Sequence, residues 1–309
     1  DQIESWRQKI KNPNDIEAKI KKLEVEKNLI LNRIAVGIED IRYHYTSDEK
    51  GKIKEHQKAL KARVEKLTRP AMKLSEWEKE KYVHDFICEN VHYDKLKKSY
   101  SHEIIGPLGQ GVGVCEGIAK SVKVLCDALG IWCMIAICGN NPEKGIKYRH
   151  TWNIVKIGGT CYHLDATFDN TLGNHSFGSK EIRYDYFNLD DKNIFRDHEP
   201  LIAPAPACTD GDHFYYKEKK MSFTKAEDVY KRSLQAAKKG KMLTFHWRGG
   251  YLTKAVLDEL LELIKKAGEE KGKKARIALN WPQAVLRLEY MEDGQENVTL
   301  EEANEGEQA

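Results

Sequence analysis

Between Arg149 and Phe168 the chain reads as two strand-like runs, RHTWNIVKI and TCYHLDATF, separated by Gly158-Gly159. A glycine pair there favours a two-residue hairpin turn, because both central residues of a type I′ turn need positive φ. The turn sets the register. Ile157 faces Thr160, Ile154 faces His163, and Trp152 lies opposite Asp165. Side chains alternate along a strand, so His150 shares the face of Trp152 and is the diagonal neighbour of Asp165. Diagonal Cα atoms lie about 7–8 Å apart, within reach of long side chains. The hairpin thus brings an imidazole to a carboxylate, which orients the ring and stabilises its charged form. His163 is the rival histidine, since it lies on the face that carries Asp165. Asp169 is the rival acid, and its other reading is a cap on the chain that follows.

Upstream, GVGVCEGIAKSVKVLCDALG spans 111–130. Ile118, Val122, Leu125 and Leu129 recur at helical spacing with Ala119 and Cys126 beside them, while Glu116, Lys120, Lys123 and Asp127 take the other side. Gly130 stands where a helix C-cap glycine belongs. Gly111 and Gly113 permit a tight turn or a close approach just before Cys115. Cys115 therefore opens an amphipathic helix, where the dipole and unpaired N–H groups favour a thiolate and can bind an oxyanion. A cysteine at a helix start, then His and Asp on neighbouring strands, is the outline of a thiol-nucleophile triad. Cys126 reads as a buried apolar residue, and Trp152 as packing that shields the triad from water.

The order and local motifs resemble the transglutaminase-like superfamily, a branch of the papain-like fold. The matching pieces are GVCEG around Cys115, H-x-W-N from His150 to Asn153, and Y-H-x-D-x-T-F-D from Tyr162 to Asp169. RYDYFNLDD further on resembles the segment that follows the core in bacterial members. The resemblance covers roughly residues 76 to 200. It implies an α+β fold: a helix bearing Cys115 packed on an antiparallel sheet bearing His150 and Asp165. It assigns Cys115 as nucleophile, His150 as general base and acid, and Asp165 as the orienting carboxylate. Gln110 is the candidate oxyanion donor by analogy with the glutamine that shortly precedes the papain cysteine, although the spacing differs. The activity implied is acyl transfer on amide bonds of peptides or proteins, with hydrolysis or deamidation first and lysine crosslinking as the alternative. A non-catalytic interaction module on the same fold is the competing class.

At 309 residues, the chain is long enough for more than one unit. Lys+Arg 51 against Asp+Glu 48 leaves a net charge of +3, which gives no electrostatic footprint for nucleic acid. No apolar run reaches membrane-span length. Seven cysteines without a CxxC pair favour free thiols and a reducing, cytoplasmic setting. A signal peptide removed ahead of Asp1 is compatible with the sequence. Cys133, Cys138 and Cys161 lack metal-ligand spacing and read as strand-buried thiols. No acidic calcium loop is present, and neither metal nor cofactor is expected.

Residues 1–74 read as helical. Ile16 to Ile34 form one stripe and Ile53 to Leu67 a second that ends at Pro70, with Ile41–Tyr45 a strand or extended connector. Ser75 and Glu78 form a capping box for a helix Trp77–Val91. The catalytic core is expected over 75–205, with a buried strand at Ile131–Cys138 and a cleft-bordering loop Gly139–Lys147. Residues 171–200 are expected to be loop with one strand near Tyr184–Leu189. The proline-rich LIAPAPAC then reads as a connector. Residues 206–290 read as a small α/β appendage in α-β-α-β-β order, and 291–309 as an acidic disordered tail. The N-terminal helices and the appendage are the candidate surfaces for a protein partner.

Overall fold

The computed structural model describes residues 47–146, 149–175, 182–292 and 301–302. The chain divides into two units, residues 1–62 and 63–309. Of the first unit only the start of helix α1 (Ser47–Thr68) is described; the expected stripe Ile16–Ile34 and the Ile41–Tyr45 segment lie outside the described residues. In the second unit α1 ends at Thr68, whose hydroxyl donates to the Val64 carbonyl at 2.9 Å. A 3₁₀ turn holding Pro70 follows, as the missing N–H of proline dictates.

Helix α2 (Glu76–Asn90) opens on the expected capping box: the Glu78 N–H donates to the Ser75 side chain while the Glu78 carboxylate accepts from the Ser75 N–H. The chain then forms β1 (His92–Tyr93), which pairs in parallel with β2 (Val112–Gly113). Asp94 organises the loop between them, accepting from the Leu96 and Lys98 N–H groups and from the Ser101 hydroxyl. Helix α3 (Cys115–Ala128) follows and buries Ile118, Val122 and Leu125 as its spacing predicts, and Gly130 takes φ 77° behind it.

The central sheet is antiparallel, in the order β3 (Cys133–Ile137), β4 (Thr151–Ile157), β5 (Thr160–Leu164), β6 (Phe187–Leu189). Ile157 pairs with Thr160 and Ile154 with His163. Both turn glycines adopt positive φ, 58° and 88°, as a type I′ turn requires. The second strand is shorter than expected. It ends at Leu164, and the chain turns into helix α4 (Ala166–His175), where the sequence had suggested strand and then loop. The physical reason is Asp165: its Oδ1 accepts the backbone N–H groups of Thr167 and Phe168 at 2.9 and 3.1 Å. A side-chain acceptor at that position starts a helix.

A second sheet lies C-terminal, in the order β11 (Glu301–Glu302), β9 (Lys273–Asn280), β10 (Val285–Glu292), β8 (Leu243–Trp247), β7 (Ser222–Phe223). Helices α5 (Ala226–Lys239) and α6 (Lys254–Glu269) bury Val229, Leu260 and Ile264 in one core with Phe245, Leu286 and Leu288 of the sheet. Of the tail expected over 291–309, four residues are described. Met291 and Glu292 complete β10, and Glu301–Glu302 pair with β9. The rest of that tail lies outside the described residues. The α+β class holds: the central sheet is antiparallel throughout, and the C-terminal sheet combines two antiparallel with two parallel pairings.

Candidate active site

Cys115 is the first residue of α3 and is 8% exposed. Val114, the N-cap residue, offers no side-chain acceptor to the N–H groups of the first turn, so those donors remain unclaimed by a cap. Gly117 lets the helix lie against the preceding loop. A Cβ there would meet the Ser101 carbonyl oxygen at 2.1 Å, and that same oxygen accepts the Val114 N–H at 3.0 Å. The second glycine of GVCEG thus fixes where the thiol stands.

His150 lies immediately before β4, and its carbonyl accepts the Cys138 N–H at 3.0 Å. Its Nε2 is 2.5 Å from Asp165 Oδ2, the diagonal pairing that the register predicts. The Cys115 thiol also acts on the ring and favours its charged form. Because Nε2 is committed to Asp165, the free ring nitrogen is Nδ1, and this is the one left for sulfur. Burial works against a charge on His150, but the facing Asp165 carboxylate, its hydrogen bond and the Cys115 thiol together hold its pKa well above the ordinary value. Asp165 is itself buried, which alone would raise its pKa; His150 and then His198 hold it well below the usual carboxylate range.

Asn153 of the H-x-W-N motif is buried, and its amide donates to the Ala119 carbonyl on α3 at 3.0 Å. This ties the cysteine helix to the histidine strand. Trp152 is buried and stacks on His150 with ring centroids 5.7 Å apart. It does not pair with Asp165 in the sheet, because β5 ends at Leu164. Phe168 also packs on His150, with centroids 4.8 Å apart. Tyr93 on β1 is half-buried; burial and the nearby Cys115 and Asp165 push its phenol upward, so it stays an O–H donor beside the site. Gln110 is exposed at the end of the helical turn Gly106–Gln110.

The rivals have other partners. His163 Nδ1 accepts the Trp152 indole N–H at 2.9 Å, and its Nε2 donates to Asp191 at 2.8 Å. It is a neutral structural histidine whose pKa burial lowers. Asp169 accepts the N–H groups of Asp185 and Tyr186 and pairs with His84 Nε2 at 3.0 Å. Cys88 lies 3.6 Å from the same nitrogen. This second Cys-His-Asp set is buried, and burial pushes the Cys88 thiol up. It packs α2 against α4.

Sequence reasoning missed His198. Its Nε2 lies 2.9 Å from Asp165 Oδ2, the oxygen that also accepts from His150. Leu201 bridges to Cys138, and the Ile202 N–H bonds the Ile137 carbonyl at 3.0 Å. The chain after His198 therefore runs beside the end of β3 and delivers the ring to the site. The Asp197-His198 dipeptide was the available signal, but its place depends on that non-local bridge.

Among the described residues two groupings contain metal-type donors, His163-Asp191-Cys208 and the histidines around Asp165. In the first, the Trp152 N–H aimed at Nδ1 requires the proton on Nε2, so that nitrogen has no lone pair to offer. In the second, both His198 nitrogens face carboxylates and must carry protons. The donor chemistry argues against an ion at either. All seven cysteines are buried free thiols.

A thiol at a helix start and an imidazole–carboxylate pair at the ends of the two central strands of the antiparallel sheet make up the candidate site. A model of the transglutaminase-like superfamily matches residues 61–166 of the chain. No curated protein matches the chain. Among solved structures it is similar to a TGase, with 15% identity and a TM-score of 0.33 over 52% of this chain and 40% of that one. It is also similar to a protein from Cytophaga hutchinsonii provisionally described as a cysteine protease, with 25% identity and a TM-score of 0.25 over 28% of this chain and 30% of that one. The chain thus spans less than half the length of either neighbour.

Proposed function

We propose that this protein is a thiol-dependent acyl-transfer enzyme acting on amide bonds of peptides or proteins. The observation that supports the reading best is the His150–Asp165 contact of 2.5 Å, on a ring whose charged form the Cys115 thiol also favours. Asp165 holds the Nε2–H tautomer, which leaves Nδ1 to take the thiol proton. Cys115 Sγ attacks the amide carbonyl, and the oxyanion is met by the first-turn N–H groups of α3, with Gln110 and Tyr93 as further candidate donors. The C–N bond breaks as His150 protonates the departing amine, leaving a Cys115 thioester. His150 then deprotonates water, which attacks the thioester and releases acid and thiol. A lysine amine in place of water gives a crosslink.

Hydrolysis or deamidation is the preferred outcome because it needs no second substrate site. The residues carrying the chemistry would lie in a core of about 75–205, with the N-terminal region 1–74 and the appendage 206–290 offering surfaces to a protein partner. Free thiols at all seven cysteines support a reducing compartment, and among the described residues no helix is long and apolar enough to cross a membrane. The reading is tested with glutamine-containing and amide-reporter peptides, with and without a primary amine, followed by mass spectrometry. The expected result is loss of one amide nitrogen and a hydroxylamine-labile adduct on Cys115. Turnover that persists in Cys115→Ala would overturn it.

A further inference from the structure

His198 lies outside the Cys115-His150-Asp165 set, yet it shares the oxygen that orients His150. Its Nε2 is 2.9 Å from Asp165 Oδ2 and its Nδ1 is 2.7 Å from Asp197 Oδ1. Carboxylate oxygens only accept, and both acids are otherwise supplied with donors. Asp165 Oδ1 takes two backbone N–H groups, while Asp197 Oδ2 takes the Tyr186 hydroxyl at 2.5 Å and the Gln283 amide at 3.3 Å. Both His198 nitrogens are therefore protonated, and the ring is a cation held between two anions. Its surroundings keep it there: Phe168 and Trp152 lie 4.6 and 4.9 Å from it, centroid to centroid.

We infer that His198 is a fixed imidazolium that positions Asp165 and shares its charge with His150, setting the pH range in which Cys115 is reactive. The inference rests on the thiol-enzyme reading of the site. The pKa of His198 is consistent with it: burial would lower it, and the bonds to Asp165 and Asp197 raise it. The other groups facing the pair are His163 on β5, whose charge coupling to His198 is repulsive, and Tyr93 on β1, which senses Cys115 and Asp165. Tyr186 stands behind Asp197, and its hydroxyl stays protonated. None of these supplies a second cation.

The consequence has a definite sign. A nearby positive charge disfavours protonation of His150 and favours a negative charge on sulfur. Removing it should raise both the pH at which Cys115 becomes reactive and the pH at which His150 gives up its proton. The two limbs of the reactivity profile then move together to higher pH. A residue that only fills space would lower the rate and leave the limbs in place.

The test is the rate of Cys115 alkylation by iodoacetamide, measured by intact mass from pH 4 to 10 on the full chain. His198→Gln keeps an amide donor for Asp165 but carries no charge. Both limbs are expected to shift upward by about one pH unit. The second measurement is the imidazole ¹⁵N spectrum of the unsubstituted protein, assigned by the loss of one signal in His198→Gln. It is expected to retain at pH 8 a ring with both nitrogens protonated, and this holds even if the variant's rates are compromised by poor folding. Superimposable limbs in a folded His198→Gln, or a neutral His198 ring at pH 8, would overturn the inference and leave the enzyme reading intact. An unsubstituted protein with no fast Cys115 adduct would overturn both.

Discussion

Asp165 carries three tasks on one carboxylate. One oxygen starts α4 by accepting two N–H groups, and the other holds two histidines. Asp165→Asn keeps the size but places an amide where two ring N–H groups require acceptors. Its expected effect is loss of Cys115-dependent turnover by roughly 10³-fold or more, with α4 retained by the surviving carbonyl; unchanged turnover would contradict the assignment. Glu80 illustrates a different use of a buried acid. It is fully buried on α2, with Asn188 donating to it at 2.9 Å. Burial pushes its carboxyl from 4.5 up to about 8, against the opposing pull of Asn188 and His84. The folded state therefore keeps a proton that the unfolded chain has lost, and stability falls as pH rises from about 4.5 to about 8. Glu80→Gln should remove that slope and add on the order of 3 kcal/mol at pH 7. Urea unfolding at pH 5 and pH 7 reads it, and an unchanged pH dependence would contradict it.

Among elements, the hairpin and the cysteine helix were the most legible in the sequence. Gly158-Gly159 permits few turns, so the register followed from the pattern alone, and the diagonal His150–Asp165 pair came with it. Helix α3 was legible because its apolar residues repeat at 3.6 spacing up to a glycine cap. Helix α4 was not. Its cap is Asp165 itself, whose strand-like neighbours on one side hide a helix start on the other, and Thr167, Phe168 and Asn170 have weak helix preference. Asn153 shows how the two legible elements are joined, through its bond to the Ala119 carbonyl. Asn153→Leu removes this bond, while the Ala119 carbonyl keeps its acceptor role within α3. The expected cost is about 0.5–1.5 kcal/mol in unfolding free energy, with slower Cys115 alkylation because α3 loses its tie to β4. Wild-type stability together with wild-type alkylation would contradict that role.

Across the molecule, the C-terminal sheet reaches back to the site through a loop that reads as a plain connector. Asn280 donates to Asp185 at 2.9 Å and Gln283 to Asp197 at 3.3 Å, while Tyr216 also reaches Asp185 at 3.0 Å. Asp185 is buried and paired with Arg183. Nothing in local periodicity marks Asn280 or Gln283 as different from other turn amides, which is why this coupling was not legible. A chain ending at residue 205 would leave Asp185 and Asp197 short of these donors, at a cost of several kcal/mol for buried polar groups. It is expected to lose the cooperative thermal transition of the intact chain, and a sharp transition at the same temperature would contradict this coupling.

The central claim is that Cys115 and His150 act as one reactive pair. The most direct measurement is intact-mass labelling with iodoacetamide at mildly acidic pH, comparing the wild-type chain with Cys115→Ala and His150→Ala. One fast adduct, absent from the first variant and strongly slowed in the second, is the predicted result. Slow labelling spread over several cysteines, equal in all three proteins, would contradict it.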